Sequence, residues 1–301
     1  MPRYSQGGKV RLARCELECA RLSSLSVAGE YSTLHPVMHG MVNIAVRAAR
    51  RAGELMIRQL NQLESLQITE KGRNDFVTEV DKIAEGAIIE VIKDHYPEHA
   101  ILAEESGASG DHEMQWIIDP LDGTTNYLHG FPVFSVSIAV AQGKELQHAV
   151  VYDPLRQEIF TASRGQGAQL DGRRIRVSKQ VGLRNALIAT GFPYRESEQH
   201  IDKYLQMLRA VMIETAGVRR PGSAALDLCY VAAGRVDGFW ELGLKKWDIA
   251  AGALIIREAG GRISDFRGTD DYLESGNLVA GTPKVYAALS KLLSAHAQDF
   301  D

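Results

Sequence analysis

The stretch that decides the fold runs Trp116-Ile117-Ile118-Asp119-Pro120-Leu121-Asp122-Gly123-Thr124-Thr125-Asn126. Its first three residues predict a buried strand. Pro120 and Gly123 predict a rigid turn, because proline fixes one φ angle and glycine lets the backbone approach a ligand. The turn holds two carboxylates, Asp119 and Asp122, and like charges this close in a dry turn repel each other unless a cation lies between them. The stretch therefore predicts a cation site where a strand ends.

A second acidic position follows another predicted strand. Glu104 and Glu105 come directly after residues 100–103, an apolar run typical of a buried strand. Active sites of α/β proteins collect where such strands give way to loops. Carboxylate oxygens without His or Cys suit Mg²⁺, and two such ions about 3.5–4 Å apart can clamp the attacking and leaving oxygens of a phosphoryl transfer. These residues therefore predict magnesium-dependent phosphate chemistry.

Helices and short strands alternate along the rest of the chain. Apolar residues recur at helical spacing over residues 42–60, and a second helix is predicted after Asp81, with Ile83 facing inward. Asp171-Gly172 has the chemistry of a two-residue hairpin turn before a strand at residues 175–177. Further helices are predicted over about 199–214 and from Ser223, Asp248 and Pro283. Helices interleaved with two groups of strands predict a layered α/β (α+β) sandwich.

Composition excludes several classes of protein. The chain has 301 residues, of which 45% are hydrophobic and 24% charged, as expected of a globular protein with a large core. Its net charge of −4 provides no global basic field of the kind that dominates nucleic-acid binding. No apolar run approaches the roughly 18 residues that a membrane span needs. Three cysteines argue against a disulfide framework and favour a reducing, cytoplasmic compartment.

The first 37 residues differ from the remainder. Residues 1–37 show neither helical nor alternating periodicity, and they lack an apolar stretch long enough for the core of a signal peptide. We expect a disordered extension, whose removal should leave folding almost unchanged, followed by one catalytic domain of two fused lobes at residues 38–301.

Four motifs together resemble a known family. The stretch quoted first, with residues 247–252 and 258–261, resembles the two signatures of the inositol monophosphatase family. Residues 75–81 and 104–106 match its remaining acidic motifs, in the same order along the chain. The resemblance covers residue 38 to the C-terminus and is closest to the bacterial extragenic-suppressor branch. It implies the layered sugar-phosphatase fold and hydrolysis of myo-inositol monophosphate or a close relative.

The resemblance implies two or three Mg²⁺ ions at each site. The metal ligands that it implies are Glu104, Asp119, the carbonyl of Leu121, Asp122 and Asp248. Asp119 would touch both principal ions, and a weaker third ion would be held through water by Glu104 and Asp81. Lithium is expected to inhibit, since it would occupy a magnesium position.

The resemblance also implies how the substrate is attacked and held. A water activated by the ions would be oriented by Glu104 and Thr124, whose hydroxyl is held by Asp81, so the catalytic residues are these three. The implied substrate contacts are Gly123, Thr124, Gly222, Ser223, Ala224, Glu241 and Asp248. The N–H groups of Gly123 and Thr124 would receive the phosphate, and residues 222–224 and Glu241 would meet the polyol ring. A homodimer is expected.

Other interpretations of the same residues stay open. Asp119 and Asp122 could cap a turn, Asp248 could cap a helix and Glu241 could be a surface charge. Fructose 1,6-bisphosphate or a nucleotide 3′-phosphate is the alternative substrate, because related branches share the metal signature. A regulatory role in ribosomal RNA transcription antitermination, with RNA polymerase and Nus factors, is the alternative from another class. Scattered arginines such as Arg219 and Arg220 could support those contacts.

Overall fold

The computed structural model describes residues 40–60, 68–72, 75–193 and 198–296, and for residues 68–72, 75–78, 198 and 199 it describes the backbone alone. The predicted extension at residues 1–37 lies outside the described residues. The helices are α1 (Gly40–Leu60), α2 (Glu79–Lys93), α3 (Thr124–Leu128), α4 (Glu198–Glu214), α5 (Ala224–Ala232), α6 (Lys246–Glu258), α7 (Tyr272–Ser275) and α8 (Pro283–Ser294). Among these described helices, none is both long enough and apolar enough to cross a membrane.

The strands form a hairpin and two larger sheets. In chain order they are β1 (Ile68–Gly72), β2 (Asp75–Thr78), β3 (Ala100–Ala103), β4 (Gly107–Ser109), β5 (Met114–Asp122), β6 (Ser135–Gln142), β7 (Glu145–Asp153), β8 (Glu158–Ser163), β9 (Gly167–Leu170), β10 (Arg173–Arg174), β11 (Leu187–Thr190), β12 (Gly217–Arg219), β13 (Gly238–Glu241), β14 (Arg262–Ser264) and β15 (Leu278–Gly281). The eight-stranded sheet has the order β10-β9-β8-β7-β6-β5-β3-β4, and the five-stranded sheet has the order β12-β11-β13-β15-β14. β1 and β2 pair with each other.

Five layers alternate between helices and sheets. One face of the eight-stranded sheet packs against α1 and α2, with Trp116 and Ile118 in that core. Its other face packs against α5 and α6, which also meet the five-stranded sheet. The outer face of the five-stranded sheet is covered by α4 and α8 around Trp240. Burial of both faces of each sheet explains the short apolar strands, and the predicted layered sandwich is confirmed.

The predicted turn at Asp119 is the irregular end of a strand. β5 continues through Asp122, with Asp119 opposite Ser137 and Asp122 opposite Ser135 in β6. A three-residue step in β5 therefore faces a two-residue step in β6, as in a β-bulge. Because alternate residues of a strand share a face, the extra residue brings both carboxylates to one face. That face also carries Ile117 and meets α6.

The second predicted helix was wrong in one respect. α2 begins at Glu79, and Ile83 is 43% exposed instead of facing inward. The buried arc of the helix extends on its other flank to Asp81 and Glu85, which are 1% and 3% exposed. Two carboxylates one turn apart therefore take the buried flank, where they can reach the loops that follow β3 and β5.

Two smaller boundaries also differ. α6 begins at Lys246 instead of Asp248, because the Asp248 carboxylate accepts the N–H of Lys245 and caps the helix from its third position. The Asp171-Gly172 hairpin is present, with both residues at positive φ as a type I′ turn requires. Its second strand is Arg173–Arg174 instead of residues 175–177.

Candidate active site

A cavity of about 370 Å³ gathers most of the predicted site residues. The predicted residues that line it are Glu104, Asp119, Leu121, Asp122, Gly123, Thr124, Gly222, Ala224, Glu241 and Asp248. Two predicted residues, Asp81 and Ser223, lie behind the wall and are each 1% exposed. Segments far apart in sequence therefore converge on a single concave site.

Parallel pairing of β3 with β5 brings two of the acidic positions together. Ala103 lies opposite Ile118, so Glu104, which directly follows β3, lies beside Asp119 of β5. The N–H of Glu104 donates to the Ile118 carbonyl at 3.1 Å, which continues the ladder by one residue. Asp248 reaches the same cavity from α6, across the face that the β5 bulge provides.

Protein donors already hold one oxygen of three of these carboxylates. Asp119 accepts the N–H of Leu121 at 2.9 Å, and Asp248 accepts the N–H of Lys245 at 2.7 Å. Asp122 Oδ2 accepts from the Ser223 hydroxyl at 2.5 Å and from the Ala225 N–H at 2.9 Å. The turn and cap roles that the sequence left open for these residues are therefore present, and they coexist with lining the cavity.

Burial and mutual repulsion dominate the electrostatics of the cluster. Burial raises the pKa of Asp119 well above its usual range, and Glu104, Asp122 and Asp248 raise it further. Burial, then repulsion from Asp248, raises the pKa of Asp122 to about 7, against the opposing hydrogen bond from Ser223. A cation among these groups would restore their charged forms, since an opposite charge favours the ionised carboxylate.

The donor set fits a hard divalent cation. The cavity is lined by the carboxylate residues Glu104, Asp119, Asp122 and Asp248 and by Leu121. All are oxygen ligands of the kind that Mg²⁺ prefers, and Mg²⁺ commonly keeps several waters beside one or two carboxylates. Within the described part of the chain, no group of three or more His, Cys, Asp or Glu side chains is already arranged to hold an ion by itself. The fit therefore rests on donor type and on charge.

The Thr124 hydroxyl lies within hydrogen-bond distance of Asp81, as the family resemblance implied. The Thr124 hydroxyl lies 3.2 Å from Asp81 Oδ1 and 3.1 Å from the Leu121 carbonyl, so it can donate to either acceptor. Glu85, which the sequence reasoning missed, lies one turn beyond Asp81 on α2. Its carboxylate accepts the N–H groups of Glu105 and Ser106, both at 2.8 Å, and so holds the loop that carries Glu104.

On the substrate side, the Ser223 hydroxyl lies behind the cavity wall. Gly222, Ala224 and Glu241 line the cavity, but the Ser223 hydroxyl points to Asp122 and Ser135 and also caps α5 at Leu226 N. A serine before the first helical residue is an ordinary N-cap, so this hydroxyl is occupied by the fold. Ser223 acts on the site through Asp122.

Three further lining residues were given no role in the active site by the sequence analysis. Phe192, Arg220 and Asn126 line the cavity, and the Arg220 guanidinium carbon lies 5.2 Å from the centroid of the Phe192 ring. Gly191 abuts Glu241 so closely that a Cβ at this position would overlap the carboxylate. Asn126 was visible in the first quoted stretch, whereas the other contacts join segments that no local pattern connects.

Asp227 supplies a pH-dependent prediction. It is 1% exposed, and within the described part of the chain its Oδ1 has no hydrogen-bond partner. Burial, followed by repulsion from Glu241 and Asp122, raises its pKa well above the usual value. The folded chain therefore binds a proton that the unfolded chain releases above its own pKa of about 3.9, so this group lowers the free energy of unfolding as pH rises.

We expect Asp227→Asn, which stays neutral, to melt above the parent protein. In the presence of chelator, the gap in Tm should widen from about pH 5 to about pH 8 and close towards about pH 3. Thermal unfolding followed by circular dichroism at each pH measures the gap. A constant gap across this range would show that Asp227 does not titrate as its surroundings imply.

Comparison with known proteins places the chain in a family. The model of the inositol monophosphatase family matches residues 38–298. Nus factor SuhB of Pseudomonas aeruginosa is 53% identical over 264 residues, which cover 86% of this chain and 97% of that protein. Nus factor SuhB of Escherichia coli K12 is 53% identical over 254 residues, covering 84% and 95%.

Solved structures of similar proteins support the same family assignment. Extragenic suppressor protein suhB from Bartonella henselae superposes with a TM-score of 0.82 at 43% identity, covering 85% of this chain and 98% of that one. The inositol monophosphatase from Anabaena gives a TM-score of 0.74 at 38% identity, covering 85% and 95%. The similarity extends over nearly the whole length of these proteins, and the residues matched by the family model include all those that line the cavity. The chain belongs to the inositol monophosphatase family.

Proposed function

We propose that the protein is a Mg²⁺-dependent phosphomonoesterase that hydrolyses myo-inositol monophosphate to myo-inositol and phosphate. The observation that carries the proposal is the convergence of Glu104, Asp119, Asp122 and Asp248 on one cavity, with Glu241 in the same wall. Membership of the inositol monophosphatase family supports it. The cavity is of the size that small-molecule sites have in proteins.

The residues would share the work as follows. When bound, two or three Mg²⁺ ions held by the four carboxylates and the Leu121 carbonyl supply positive charge for the phosphate and for the attacking water. Thr124 donates its proton to Asp81 or to the Leu121 carbonyl, so a lone pair of its oxygen is left to orient that water. The Glu104 carboxylate accepts the proton that the water loses. No covalent phosphoenzyme is needed.

The substrate would lie between residues 119–124, which carry three of the proposed metal ligands and are called the metal turn below, and the five-stranded sheet. Gly123 and Thr124 would contact the phosphate, while Gly222, Ala224 and Glu241 would contact the ring. Gly123 adopts a φ of +97°, and a Cβ there would lie 3.0 Å from the Val133 carbonyl oxygen. This position therefore requires glycine for the turn to form.

A phosphate-release assay tests the proposal. We expect release from myo-inositol monophosphate with Mg²⁺, loss of release in excess chelator, recovery when Mg²⁺ is restored, and inhibition by lithium. Fructose 1,6-bisphosphate and a nucleotide 3′-phosphate serve as the competing substrates, and kcat/KM decides among them. Full activity in excess chelator would exclude the metal mechanism, and a higher kcat/KM for a competing substrate would reassign the substrate.

A second candidate function rests on the relatives named Nus factor SuhB, which share 53% of aligned residues with this chain. We propose that the protein also contacts the transcription machinery, namely RNA polymerase or Nus factors. Pull-down with the intact protein and with the Asp119→Asn variant tests this role. Equal capture by both would separate binding from catalysis, and capture of neither polymerase nor Nus factors would remove this candidate.

A further inference from the structure

Asn126 joins two segments of the active site that belong to different sheets. Its side-chain amide donates to the Val133 carbonyl at 2.7 Å and to the Pro221 carbonyl at 2.9 Å, with the Gly222 carbonyl at 3.3 Å. Val133 closes the loop that returns to β6 of the eight-stranded sheet. Pro221 and Gly222 lie in the segment between β12 of the five-stranded sheet and α5. One amide group therefore spans the junction between the two sheets.

The junction is close-packed around this amide. Gly222 has a φ of +96°, and a Cβ there would lie 2.9 Å from Asn126 Nδ2. A Cβ on Gly123 would lie 3.1 Å from the Gly222 carbonyl oxygen, so the two glycine backbones face each other without side chains between them. Beside them, Asp122 accepts from Ser223 and Ala225. The segment at residues 221–225 therefore contacts the metal turn through its backbone and through short side chains.

We infer that Asn126 is a positioning residue that fixes the distance between the phosphate end and the ring end of the site. The inference rests on the proposed function, because residues 222 and 224 matter as ring contacts only if a polyol lies there. Asp122, which also accepts hydrogen bonds across the junction, is itself a proposed metal ligand. Asn126 is not a proposed ligand, so changing it should loosen the ring-side segment without removing a ligand of the ions.

The chemistry at this position requires a donor. An amide NH₂ carries two hydrogens, which satisfies the Val133 and Pro221 carbonyls and leaves Gly222 as a weaker third acceptor. Alanine would leave these acceptors without the donor. Aspartate has nearly the same shape but only acceptor oxygens when ionised, so it would repel all three carbonyls. Asn126→Ala and Asn126→Asp are therefore expected to have the same effect for different reasons.

The kinetic test compares two substrates. At saturating Mg²⁺, we expect both variants to lose roughly ten- to a hundredfold in kcat/KM for myo-inositol monophosphate. For p-nitrophenyl phosphate, which has no ring hydroxyls, the loss should stay within about threefold, and the Mg²⁺ concentration for half-maximal rate should not change. Asn185→Ala serves as the control, since Asn185 is an exposed asparagine away from the cavity.

Hydrogen–deuterium exchange of the metal-free protein provides a readout that needs no turnover. Amides in peptides covering residues 217–226 should exchange on the order of tenfold faster in both variants than in the parent, while those of β7 keep their rate. Unchanged exchange at 217–226 would overturn the inference, and so would faster exchange with equal kinetic losses on both substrates. If the parent hydrolyses neither substrate, the proposed function is wrong. The exchange rates of residues 217–226 still test whether Asn126 holds that segment in place.

Discussion

Asp119→Asn is expected to lower kcat/KM by at least about a hundredfold at saturating Mg²⁺, because even residues behind a metal ligand commonly cost ten- to a hundredfold when changed. Asp119 is 1% exposed and lies beside Glu104, with both side chains lining the cavity. Asparagine keeps the shape and the acceptor for the Leu121 N–H but loses the negative charge. Steady-state phosphate release over a range of Mg²⁺ concentrations measures the effect.

The same substitution should stabilise the metal-free protein. The folded pKa of Asp119 is raised, so its favourable contribution is present below the unfolded pKa and is lost as pH rises through the folded value. With chelator near neutral pH, removal of this buried charge should therefore raise Tm. In saturating Mg²⁺ the sign should reverse, because the parent gains binding energy that the variant lacks.

A matched control has the opposite expectation. Asp153 is also 1% exposed, but its carboxylate accepts from Arg156 at 2.8 Å and from two backbone N–H groups. Asp153→Asn should lower the free energy of unfolding by about 1–3 kcal/mol. Its Tm should therefore fall both with and without Mg²⁺. If Asp119→Asn kept near-normal turnover, or lowered Tm in chelator as Asp153→Asn does, the assignment of Asp119 to a metal ligand would be wrong.

Glu241→Ala is expected to change substrate selectivity. Glu241 ends β13, abuts Gly191 and lines the cavity. If its carboxylate accepts a hydrogen bond from a ring hydroxyl, the variant loses an interaction worth about 1–3 kcal/mol. We expect kcat/KM for myo-inositol monophosphate to fall roughly ten- to a hundredfold, with much less change for p-nitrophenyl phosphate, which offers no hydroxyl there.

Two comparisons make the Glu241 result decisive. Glu274→Ala removes an exposed glutamate that pairs with Lys246 outside the cavity, and it should leave both substrates unaffected. Equal loss on both substrates for Glu241→Ala would mean that Glu241 supports the metal site or the fold. No loss on either substrate would make it a surface charge.

Short-range pattern was enough to predict much of this protein. Helical spacing predicted α1, and an apolar run before Glu104 predicted β3 to the residue. Asp171-Gly172 predicted a two-residue hairpin turn, which is present. The layered fold and the family were also predictable, because periodicity and ordered motifs are properties of neighbouring residues.

Only the tertiary structure shows that Asp119 and Asp122 lie on the same face of the sheet. The step from Asp119 to Asp122 reads as a turn in sequence, and three residues apart on a regular strand would point them to opposite faces. Pairing with Ser135 and Ser137 across the bulge puts them on the same face. Tertiary structure also decided that the Ser223 hydroxyl bonds to Asp122 and caps α5.

The contacts at the junction between the two sheets could not be predicted from local sequence patterns. Asn126 and Pro221 are separated by 95 positions in the sequence. No local periodicity connects the two segments. Side-chain hydrogen bonds over such separations depend on how whole layers pack, and layer packing is set by the summed burial of many apolar residues. The sequence therefore determined which residues carry the charge and the turns. Packing of α5 and α6 between two sheets decided which of them meet.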